Sequence, residues 1–97
     1  MNYEIETIET GTRLTLKGAV TVECAAELAR AVRLALNETA GDLRLVIDSS
    51  VTIDAAGLQV LLAGRRSRPG LKLESASVNW TEQLGRYGCR WEADTEI

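Results

Sequence analysis

Between residues 43 and 75 the spacing of apolar residues changes period twice, and this change constrains the fold more than any other feature of the chain. Leu43, Leu45 and Ile47 alternate with Arg44 and Val46, the period expected of a strand with one buried face, running over 43–48. Leu58, Leu61, Leu62 and Arg65 then recur at helical spacing within residues 54–67. Pro69-Gly70 stops that helix, and Leu71 and Leu73 resume the alternation over 71–75. Strand, helix and strand in so short a stretch make a β-α-β unit with parallel strands and a right-handed crossover.

The flanks extend the pattern. Residues 3–8 and 12–17 read as two strands joined at Gly11, with Leu14 and Leu16 alternating with Arg13, Thr15 and Lys17. Thr21 is placed to cap a helix over 21–37 that carries Ala25, Leu28, Ala29, Val32 and Leu36 on one face, and Glu27 can pair with Arg30. Residues 38–42 read as a turn. A third helix over about 79–87 presents Trp80, Leu84 and Tyr87, with Gly88 suited to its C-terminal cap. The expected order is β-β-α-β-α-β-α. It describes an α/β domain with a small mixed sheet of four to five strands and helices packed mainly on one face. Leu28, Val32, Leu45, Ile47, Leu58, Leu61, Leu62 and Leu84 are the expected core. Residues 90–97 fit either a last short strand or a frayed tail.

At 97 residues the chain is one domain with a modest core, and the absence of Phe rests that core on Leu, Val, Ile and Ala. A net charge of -3 gives no basic field for nucleic acid or an anionic membrane. Arg65, Arg66 and Arg68 fit a solvated helix end, where cations favour the negative pole of the helix dipole. No apolar run reaches the roughly 20 residues that span a bilayer, and the start Met1-Asn2-Tyr3-Glu4 lacks the form of a secretion signal. A cytoplasmic protein without direct membrane insertion is therefore expected, with Cys24 and Cys89 as reduced thiols. The chain has no His, which removes Ser-His-Asp and Cys-His catalysis and histidine metal sites. It also lacks a phosphate loop and clustered carboxylates. No catalytic residue, metal or cofactor is expected.

The candidate site lies in residues 45–62, where a buried strand passes through Asp48-Ser49-Ser50 to Ile53-Asp54-Ala55-Ala56-Gly57-Leu58. Asp54 suits an N-cap accepting the N–H of Ala56 or Gly57. Gly57 early in a helix costs about 1 kcal/mol against Ala, so something needs the missing side chain. Either the helix packs closely on the sheet or a partner approaches its first turn. Gly64, seven residues on, favours close packing. Ser49 and Ser50 read first as solvated turn residues and second as points of contact or modification.

This segment resembles the signature of the STAS family: an Asp ending a strand, a short polar stretch, then Ile-Asp-small-small-Gly-Leu and an apolar helix. The order of elements matches over nearly the whole chain. The resemblance implies a non-catalytic fold of helices on a small sheet. In the bacterial anti-sigma-factor antagonists of that family, this loop and helix start bind a serine-kinase anti-sigma factor. It marks Ser49, Ser50, Thr52, Asp54, Ala55, Ala56 and Gly57 as a partner-binding surface. In phospho-switched members the residue before the Gly is the accepting Ser or Thr. Here it is Ala56, and Ala55 has no hydroxyl either, so switching at the usual place is not expected; Ser50 and Thr52 are the available substitutes. The stretch from Asp48 to Asp54 is also shorter than is common in the family. The expected partner is another protein: an anti-sigma kinase-like factor, a transporter ATPase as in the ABC phospholipid transporters, or a chemotaxis or two-component signalling protein.

Overall fold

A computed structural model describes residues 1–38, 41–67, 71–76 and 78–91. Strands β1 (Asn2–Ile8) and β2 (Gly11–Lys17) form a hairpin, followed by the short β3 (Ala19–Val20). A single 3-10 turn, Val22–Cys24, leads into α1 (Ala25–Glu38). Then come β4 (Asp42–Ile47), β5 (Thr52–Ile53), α2 (Ala55–Ser67), β6 (Leu71–Ser75) and α3 (Val78–Arg86). The main sheet has the order β1-β2-β4-β6; β1 is antiparallel to β2, and the other pairs are parallel. The expected mixed sheet covered by helices is thus present. The turn expected over 38–42 is shorter: Glu38 ends α1 and Asp42 begins β4, while 39 and 40 lie outside the described residues.

The register explains the core. Ile5, Leu14, Leu45 and Leu73 line up across the four strands, flanked by Leu16 and Ile47 on one side and Leu43 and Leu71 on the other. Apart from Ile5, which is half-buried on the edge strand, these residues are buried beneath the helices. Each such side chain contributes about 1.5–3 kcal/mol by leaving water. The opposite phase of the same strands aligns Glu6, Arg13, Arg44 and Lys72. Three cations in a row would repel. Carboxylates interleave instead: Glu74 takes Arg13 through both oxygens at 2.7 and 2.8 Å, and Glu6 takes it at 3.1 Å. The bonds from Arg13 chiefly hold the Glu74 carboxyl below its ordinary range.

Helix rotation departs from the expectation. In α2 the buried residues are Gly57, Leu58, Leu61 and Gly64, and Leu62 is only half-buried, against its expected place in the core. The two glycines face inward where the helix approaches its neighbours closely, too closely at Gly57 for a Cβ and tightly at Gly64. A methyl on Gly57 would lie 2.5 Å from the Val20 carbonyl oxygen, and one on Gly64 would lie 3.0 Å from Val32 Cγ1. The approach turns Leu62 toward the rim. It also leaves Arg65 exposed, 5.1 Å above the ring of Trp91. In α1 the buried face is Leu28, Ala31, Val32 and Ala35, while Ala29 and Leu36 are half-buried. No Glu27–Arg30 ion pair forms among the described residues.

Helix α3 ends as Gly88 dictates. Gly88 adopts φ +66, and the N–H groups of Gly88 and Cys89 return to the carbonyls of Gly85 and Leu84 at 3.1 and 3.0 Å. The chain therefore reverses before Tyr87 can join the core face, and Tyr87 is 45% exposed, contrary to expectation. Trp91 takes that place: it is buried, and its carbonyl accepts the indole N–H of Trp80 at 3.1 Å. Of residues 90–97, over which a strand or a tail was expected, 90 and 91 belong to no helix or strand and 92–97 lie outside the described residues. Among the described residues no helix is long and apolar enough to cross a membrane.

Candidate functional site

The segment joining β4 to α2 is stitched to the segment following β2. Asp48 N–H donates to the Leu16 carbonyl at 3.0 Å, and Thr52 and Asp54 N–H donate to the Gly18 and Val20 carbonyls, both at 3.2 Å. Residues expected to be a plain connection thus include β5, which runs parallel to β3 with Ala19 beside Thr52 and Val20 beside Ile53. Val51 and Ile53 point into the core, and Thr52 points out. The two-residue strands carry too little alternation to be read from periodicity.

Asp48 organises the start of this loop. Its Oδ2 accepts the Ser50 hydroxyl at 2.6 Å and the Ser50 N–H at 3.0 Å. The Ser50 hydroxyl oxygen in turn accepts the Gly18 N–H at 3.1 Å. The hydroxyl bond to Ser50 is the largest influence holding the Asp48 carboxyl below its ordinary range. Ser50 is exposed, but its hydroxyl is already committed to the loop.

Asp54 organises the end. Its Oδ1 accepts the Gly57 N–H at 2.9 Å, as an N-cap should, and its carbonyl accepts the Leu58 N–H at 2.9 Å. Its Oδ2 accepts the Val22 N–H at 2.8 Å. One carboxylate therefore supplies two helix starts, that of α2 and the 3-10 turn before α1. These bonds, Gly57 first and Val22 second, lower its pKa. The capping role expected of Thr21 for a helix beginning there is altered. The first turn is 3-10, Cys24 Sγ accepts the Thr21 N–H at 3.2 Å, and the α-helix proper starts at Ala25.

Of the expected surface residues, Ser49, Ser50, Thr52 and Ala55 are exposed, Asp54 and Ala56 are half-buried, and Gly57 is buried. The missing side chain of Gly57 serves the approach to Val20, the first of the two readings left open above. Two residues that sequence reasoning missed belong to the region. Val22, whose N–H is held by Asp54, is 67% exposed and adds an apolar side chain to the surface near the start of α2. Gln83 of α3 bonds the outer edge of β5, accepting the Ile53 N–H at 2.7 Å and donating to the Val51 carbonyl at 3.1 Å.

Chemically the site is a fixed surface. Both carboxylates accept N–H or O–H donors that lower their pKa values, so both are ionised at neutral pH. Among the described residues no group of three His, Cys, Asp or Glu side chains is placed to hold a metal. What the region offers a second molecule is shape: small side chains at a helix start, an exposed valine, and a loop held by its own hydrogen bonds. Comparison with known protein families and with curated proteins returns no match, so the functional reading rests on this geometry and on the residues that form it.

Proposed function

We propose that this chain is a non-catalytic protein-interaction module of STAS type, resembling an anti-sigma-factor antagonist, and that its partner docks over Ser49, Ser50, Thr52, Ala55 and Ala56. The observation that carries the reading is the double cap made by Asp54. It fixes two chain segments in one rigid surface and leaves small side chains outermost at the start of α2. A partner backbone can approach such a surface closely, and little conformational entropy is lost on binding it. Val22 adds apolar area at its edge.

The same reading makes binding constitutive. A phosphate at the residue before Gly57 would add nearly two negative charges at a helix start, which the fold tolerates and a fitted partner surface does not. Ala56 cannot accept one. Ser50 is a poor substitute because its hydroxyl already bridges Asp48 and Gly18, and a phosphate there would face the Asp48 carboxylate.

The test is affinity capture from the organism that carries the gene, with wild-type and Ala55→Arg baits, followed by binding measurements on the purified partner. Ala55 is exposed, so the variant should keep its melting temperature while losing the partner. Equal affinity in a folded Ala55→Arg variant would move the site elsewhere. Stoichiometric phosphate on Ser49, Ser50 or Thr52, accompanied by loss of binding, would overturn the constitutive reading.

A further inference from the structure

Away from that surface, α1 and α2 leave a cleft of about 240 Å³ between them. Its walls are Ala29, Val32 and Leu36 of α1 and Val60, Ala63 and Gly64 of α2. The cleft exists because the helices meet closely at Gly64 and Val32, while small residues on either side fail to fill the angle between them. It falls below the roughly 300–1,000 Å³ typical of sites that enclose a drug-sized ligand. It suits a few aliphatic side chains delivered from outside.

Charge around it is one-sided. Arg33 lines the cleft. Arg30 precedes Arg33 by three residues and Arg66 follows Ala63 by three, so each neighbours a lining residue on the surface of its own helix. All three arginines are exposed, and none joins an ion pair among the described residues. Helix α2 contains no Asp or Glu, and among the described residues no carboxylate of α1 lines the cleft. An overall acidic chain, with net charge -3, thus carries an apolar cleft whose one charged lining residue, among the described residues, is an arginine.

We propose that this cleft receives an amphipathic helix of a partner protein, with aliphatic residues at i, i+3, i+4 and i+7 flanked by carboxylates. The apolar stripe fills the cleft, and the carboxylates meet Arg30, Arg33 and Arg66. The cleft is separate from the start of α2, so this inference stands or falls independently of the function proposed above.

The experiment uses the full chain, isotopically labelled, and two synthetic helical peptides that share a leucine stripe. One carries Glu on its flanks and the other carries Lys. The Glu peptide should bind saturably, with amide shifts clustered on Ala29, Val32, Arg33, Val60 and Ala63, and should weaken as salt rises. The double variant Arg33→Glu/Arg66→Glu should weaken it roughly tenfold and reverse the preference between peptides. Its substitutions lie at exposed positions, circular dichroism checks its fold, and the salt titration of the wild-type chain reads the same charge effect without any substitution. Absence of saturable shifts, equal binding of both peptides, or shifts centred on residues 49–56 would each overturn the proposal. So would concentration-dependent self-association that moves the same cleft amides, because the occupant would then be a second copy of this chain.

Discussion

The side chain of Gln83 accepts the backbone N–H of Ile53 at 2.7 Å while its amide nitrogen donates to the Val51 carbonyl, so a helix residue stands where a neighbouring strand would pair with β5. One edge of β5 is thus satisfied by β3 and the other by α3. Replacing Gln83 with Leu leaves two part-buried backbone groups unpaired, and the expected loss is about 1–3 kcal/mol by denaturant unfolding. Gln83→Glu keeps the acceptor but not the donor and should lose less. Hydrogen exchange should show the Ile53 amide exposed in Gln83→Leu; full retention of its protection would remove Gln83 from this role.

Gly57 and Gly85 should respond to alanine in opposite directions. At Gly57 the new methyl meets the backbone oxygen of Val20, and strain outweighs the gain in helix propensity, giving a net loss of about 1–3 kcal/mol. At Gly85, within α3, a Cβ would meet nothing within 4 Å, so propensity alone acts and stability should rise by about 0.5–1 kcal/mol. Paired thermal melts read both. A neutral Gly57→Ala would mean that α2 does not sit this close to β3.

The Asp54 carboxyl has a lower pKa in the fold than in the unfolded chain, chiefly through the Gly57 N–H and then the Val22 N–H. Its contribution to stability is therefore complete above the unfolded carboxylate pKa of about 3.9 and is lost as pH falls through the folded value. Asp54→Ala should lower the melting temperature by several degrees at pH 7. The gap between wild type and variant should be constant above about pH 5 and close as the solution is made more acidic. Asp48 and Glu74 are also lowered, but they are common to both proteins and cancel in the difference. A gap that does not change with pH would show that the two N–H bonds are not made to the charged form.

Leu61 and Leu62 are adjacent in sequence and unequal in burial: Leu61 is 1% exposed and Leu62 is half-buried. Leu61→Ala should cost about 2–5 kcal/mol, a large share of the stability of a domain this size. Leu62→Ala should cost clearly less. Equal losses in chemical denaturation would contradict the observed rotation of α2.

The local pattern of residues was enough to place every long element. Alternation marks β2, β4 and β6 because one face of each is covered and the other meets water, and helical spacing marks α1, α2 and α3 for the same reason. The cap by Asp54 and the reversal at Gly88 were equally legible, since each acts on backbone groups within a few residues. Periodicity did not settle how far each helix turns about its axis. That was decided where Gly57 meets Val20 and Gly64 meets Val32, contacts between segments far apart in the chain, and it moved Leu62 outward and opened the cleft between α1 and α2. The second bond of Asp54, to Val22, and both bonds of Gln83 also join residues 30 to 32 positions apart. A polar side chain that satisfies a distant backbone group leaves no periodic trace, because its partner is chosen by proximity in the folded chain.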